Sequence, residues 1–76
     1  MIYNKIMKKR VIITPKEGIL DPQGRALKDV LNEAGFDIKD VRIGKIIEIE
    51  ADSLENLQKM IEDYIINPLI EDYEVL

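Results

Sequence analysis

Apolar residues fall along the chain in blocks whose internal spacing changes from one block to the next, and each block predicts an element. The β-branched run Val11-Ile12-Ile13-Thr14, led in by basic residues from Lys8, reads as a strand buried on both faces and ended by Pro15. Asp21 stands where a helix N-cap belongs, and Pro22 takes the first helical position, where its fixed φ is already suitable. Leu27, Val30, Leu31 and Ala34 then recur at the spacing of one buried helical face. Gly35 suits the left-handed residue that ends such a helix.

Across residues 41–51 the period drops to two. Val41, Ile43, Lys45, Ile47, Ile49 and Ala51 point one way, and Arg42, Gly44, Ile46, Glu48 and Glu50 the other, so one face is apolar except at Lys45. A hairpin turn at Gly44-Lys45 would scramble both faces, which favours one long strand, bulged at that point at most. Asp52 or Ser53 is expected to cap a second helix, with Glu55 completing a capping box and Leu54, Leu57, Ile61, Tyr64 and Ile65 as its buried stripe. Asn67-Pro68 stops that helix, and Ile70 to Val75 alternates as a last strand.

The predicted architecture is α+β in the order β-α-β-α-β, with two helices on one face of a small sheet and a single domain over residues 1–76. A strand of about 13 residues spans about 40 Å, whereas a helix of similar count covers about 20 Å. The long central strand should therefore overhang its helices, and extension across a dimer would cover the exposed edge and apolar side chains.

Composition narrows the chemistry. At 76 residues the chain is near the size where one core leaves a thin margin of stability, so help from a partner is expected. It has no cysteine and no histidine, which removes disulfides, thiolate metal sites, a cysteine nucleophile and the commonest general base. The net charge of −4 is unevenly spread: residues 1–46 hold ten basic and six acidic side chains, residues 47–76 one basic and nine acidic. Overall acidity and scarce aromatic residues argue against nucleic acid as a partner. The apolar runs are too short to span a membrane or to form a signal-peptide core, so a cytoplasmic location is expected.

Three segments could carry chemistry. Lys16 to Arg25 mixes charges, two glycines and a helix start, but its spacing matches neither the nucleotide P-loop nor the dinucleotide fingerprint, and ordinary capping explains it better. Arg42-Ile43-Gly44-Lys45 sets two cations around a glycine in mid-strand, where Lys45 would snorkel, bulge or meet another subunit. The acidic stretch Glu71-Asp72-Tyr73-Glu74 reads as a solvated strand that discourages edge pairing rather than as an acid/base pair or Mg²⁺ site.

Together, Gly18-Ile19-Leu20-Asp21-Pro22-Gln23-Gly24, Val41-Arg42-Ile43-Gly44-Lys45 and Asn67-Pro68-Leu69-Ile70-Glu71-Asp72-Tyr73 resemble the PurS family, the small subunits of phosphoribosylformylglycinamidine synthase. The likeness covers Met7 through Val75, with residues 1–6 as an extension that is either native or the product of a start codon placed upstream of Met7. It implies a place in de novo purine synthesis, where ATP and glutamine convert formylglycinamide ribonucleotide (FGAR) to formylglycinamidine ribonucleotide (FGAM). A separate glutaminase subunit would release ammonia, and a large synthetase subunit would bind ATP, Mg²⁺ and the ribonucleotide. The small subunit would bridge them as a homodimer or tetramer and assist ammonia transfer. It would have no catalytic, cofactor-binding or metal-binding residue of its own. The likeness concentrates on Asp21, Gly24, Arg42, Gly44, Lys45, Asn67, Pro68 and Tyr73, which are the candidate partner contacts. The main rival is a small-molecule-sensing domain of the ACT type, which would need a four-strand ferredoxin-like order. A stand-alone enzyme using Tyr64 or Tyr73 with a carboxylate has no matched constellation behind it.

Overall fold

The computed structural model describes residues 6–76, so all of the expected N-terminal extension but residue 6 lies outside the described part. The order is β1 (Met7–Pro15), α1 (Pro22–Glu33), β2 (Lys45–Ala51), α2 (Leu57–Met60), which runs on into one π-helical turn at Ile61–Ile65, and β3 (Glu71–Val75). This is the α+β succession the spacing predicts. The three strands form an antiparallel sheet in the order β2-β1-β3. No fourth strand joins it among the described residues, so the ferredoxin-like order of the rival reading is missing there.

The middle strand is β1 and not the 41–51 segment. It pairs with β2 from Met7↔Ala51 to Ile13↔Lys45 and with β3 from Val11↔Val75 to Pro15↔Glu71. It is buried on one face only, contrary to expectation: Val11 and Ile13 are fully buried, while Ile12 and Thr14 are half-exposed. The alternation of a half-solvated antiparallel strand prevails because no helix covers the second face. Ile61 completes the core, ringed by Ile47, Ile49, Leu57, Ile65, Ile66 and Tyr73.

The second helix starts later than its capping signals suggest. Asn56 is its N-cap in a left-handed conformation (φ 58°) with no side-chain cap bond, so neither Asp52 nor Ser53 opens it. Residues 52–56 are spent bringing the chain back over the sheet. The Ile66 amide donates to the Ile61 carbonyl at 3.0 Å, the five-residue step of a π turn. That step puts Ile66 on the buried face beside Ile61 and turns Tyr64 outward to 86% exposure, which removes Tyr64 from the expected stripe.

Helix α1 forms as predicted, with Asp21 as cap, Pro22 first and Gly35 left-handed at φ 101°. None of its side chains belongs to the core or is packed against it. Its apolar face is open, with Leu27 42% and Val30 59% exposed, and the helical share of the core comes from α2 and the π turn. The reason lies in residues 36–44, of which 41–44 are expected from their alternation to lengthen β2 and instead run back along α1 with the rest: Asn32 holds the Ile38 amide at 2.8 Å, and Asp21 holds that of Ile43 at 2.9 Å. These residues and α1 make an arm. The Cα radius of gyration is 16.9 Å and the principal extents are 58 × 30 × 13 Å. A compact chain of this length would have a radius of about 11 Å.

Candidate functional site

Asp21 is the junction of the arm. One carboxylate oxygen accepts the Gly24 amide at 3.0 Å, closing the first turn of α1, and the other accepts the Ile43 amide at 2.9 Å. The Gly24 bond, then the Ile43 bond, hold its carboxyl below the usual carboxylate range, with a smaller pull from Arg42. Gly24 must be glycine, since a Cβ there would collide with the Val41 carbonyl and with the Asp21 carboxylate. Gly44 is similarly pressed against the Ile13 carbonyl. Its neighbour Lys45 opens β2 opposite Ile13 and lies at the edge, with Nζ 4.0 Å from Glu71.

Asn67, Pro68 and Tyr73 belong to β3 and the turn that leads into it, across β1 from β2. The Asn67 side chain accepts the Leu69 amide at 3.1 Å and its carbonyl accepts those of Ile70 and Glu71, making it the turn residue that delivers β3. Pro68 occupies that turn. The Tyr73 hydroxyl donates to Glu62 at 3.0 Å, tying β3 to the π turn. Desolvation, followed by the Glu62 carboxylate, pushes the phenol pKa up, so Tyr73 serves as a donor and not as a base.

Two residues outside the sequence selection join these groups. The Lys16 amide donates to the Ile70 carbonyl at 2.8 Å and its ammonium meets Asp72 at 2.7 Å, a tie across 56 positions that no local pattern signals. Glu62 is the other, visible only once Tyr73 is placed. Around Lys16 and Pro15 lie three shallow depressions. One of about 340 Å³ is lined by Asp21 and Arg42, one of about 240 Å³ by Gly44 and Lys45, and one of about 340 Å³ by Pro68 and Tyr73. Six of the eight candidate residues thus line depressions that adjoin Pro15 or Lys16, while Gly24 and Asn67 are taken up by tight backbone geometry.

The Asp21 depression sets Lys16, Arg25, Lys28 and Arg42 against Glu17, Asp21 and Asp40, too balanced a set to cradle phosphate. Among the described residues no cluster of carboxylates could hold a metal ion.

The family model for PurS, described as phosphoribosylformylglycinamidine (FGAM) synthase, matches residues 8–76. The phosphoribosylformylglycinamidine synthase subunit PurS of Methanocaldococcus jannaschii is 37% identical over 75 residues, 90% of either chain. Bacillus subtilis PurS superposes with a TM-score of 0.76 at 33% identity, over 91% of this chain and 94% of its own. A chain in the structure of PurLQS from Thermotoga maritima does so with a TM-score of 0.80 at 29% identity, over 93% and 95%.

Proposed function

The chain belongs to the PurS family and is a subunit of phosphoribosylformylglycinamidine synthase, and from that premise we propose that it is the non-catalytic bridge between the other two subunits. By likeness to the PurLQS assembly of Thermotoga maritima, its partners are a PurL-type synthetase and a PurQ-type glutaminase. In this reading ATP and Mg²⁺ bind to the synthetase, ammonia made by the glutaminase passes between the two under this subunit's guidance, and the work is done in the cytoplasm. No helix among the described residues is long and apolar enough to cross a membrane.

The observation that carries the reading is the arm. A helix whose apolar residues Leu27 and Val30 stand 42% and 59% exposed and join no core of their own chain is suited to be covered by another one. A second copy is the natural cover, giving a homodimer or a tetramer built from two. The depressions around Pro15 and Lys16, with Asp21, Arg42, Gly44, Lys45, Pro68 and Tyr73 on their walls, are then the surface offered to partners. Arg42 has no ion-pair partner among the described residues and Lys45 only a long one, so both are free to meet a partner carboxylate. Arg42→Glu and Lys45→Glu should each weaken co-elution with the partners while leaving the circular dichroism spectrum unchanged.

The decisive experiment is FGAM formation by purified glutaminase and synthetase with and without this chain, using glutamine or ammonia as nitrogen donor. A bridging subunit restores the glutamine-dependent rate alone. No effect on either rate, together with no co-elution, would defeat the reading.

A further inference from the structure

We propose that Asp21 is a positioning residue: by holding the N-terminus of α1 and the Ile43 amide on one carboxylate, it sets the direction of the arm and so the affinity of assembly. This rests on the bridging reading and names the group that regulates its geometry. No side chain of α1 is packed against the core, so the direction of the arm comes from backbone ties. The Asn32 bonds to Ile38, at 2.8 and 3.3 Å, lie at the outer end and only close the arm on itself. At the inner end the line of contact is short: α1 begins at Asp21, Asp21 holds Ile43, and Gly44 rests on the Ile13 carbonyl of β1. Gly24, with no room for a side chain against the Val41 carbonyl, lets the helix lie close enough for the carboxylate to reach both amides.

Two acceptor oxygens are required because both partners are donors. Asparagine caps helices as well as aspartate does, yet it has one oxygen and turns an NH₂ group toward the second amide. Serine can reach Gly24 but not Ile43 as well. Asp21→Asn and Asp21→Ser therefore retain the cap and lose the tie, which separates helix formation from arm direction.

The test uses the full chain, wild type and both variants. Amide exchange is read at Ile43 and at the β1–β2 ladder, self-association by sedimentation, and glutamine-dependent FGAM formation by titrating the subunit into glutaminase and synthetase. Loss of a hydrogen bond to a charged acceptor should speed Ile43 exchange and raise the half-saturating subunit concentration by about tenfold, with ladder protection and plateau rate retained. Recovery of the full rate at high subunit concentration is the mark of positioning. An unchanged half-saturating concentration with Ile43 freed, a lowered plateau, or loss of protection throughout the ladder would each overturn the proposal. If the wild-type chain does not stimulate turnover, the bridging reading fails instead, and exchange with sedimentation still decides whether Asp21 directs self-association.

Discussion

Single side chains bear unequal shares of this structure. Among the described residues the only fully buried side chains are those of Val11, Ile13 and Ile61, so each has few neighbours able to close a gap left by truncation. Ile61→Ala should cost about 2–5 kcal/mol in denaturant unfolding, while trimming exposed Leu69 should change little. Charge acts through pH. Asp21 is lowered by its two amides, and Glu48 by the hydrogen bond and charge of Lys8, then by Arg10. A carboxylate lowered by folding adds stability above its unfolded pKa of about 4, and loses it as pH falls through the folded value. Lys8 is raised by Glu48, and Tyr73 by desolvation and Glu62, so their contributions hold below about pH 10 and fade above it. Unfolding measured from pH 2 to 11 should give a plateau with a falling limb at each end, and Glu48→Gln should flatten the acid limb.

At the level of elements, the succession of strands and helices was readable because it depends on spacing and caps within about 15 residues. Asp21-Pro22 and Gly35 mark the ends of α1, and Asn67-Pro68 ends the second helix, from local sterics alone. Errors arose where distant partners decide. The alternation at 41–44 is genuine, but Asp21 takes the Ile43 amide that a strand neighbour would have used. Tyr64 had the spacing of a core residue until a π turn moved the face by one position. Of the candidate residues that the resemblance implies, six stand on the walls of the depressions and two, Gly24 and Asn67, are fixed by backbone geometry. The open stripe of α1 gives the prediction proper to this scale. Leu27→Asp or Val30→Asp removes no contact with the core, so sheet protection and thermal midpoint at low concentration should hold while sedimentation shows weaker self-association.

For the whole molecule, the long shape and the three-residue core mean that much of the apolar surface is left for other chains to cover. Stability supplied by association follows mass action, so the thermal midpoint should rise with protein concentration across a dilution series. A midpoint independent of concentration would argue against a second copy on the arm. The unsupported arm also governs how long a subunit survives. A segment joined to its body by a few backbone ties opens more readily than the sheet, and readily opened segments are where proteases cut. Subunits made in excess of their partners would keep that segment accessible and be cleared first, so the stoichiometry of the enzyme can be corrected by degradation of the unassembled copies, without a dedicated regulator.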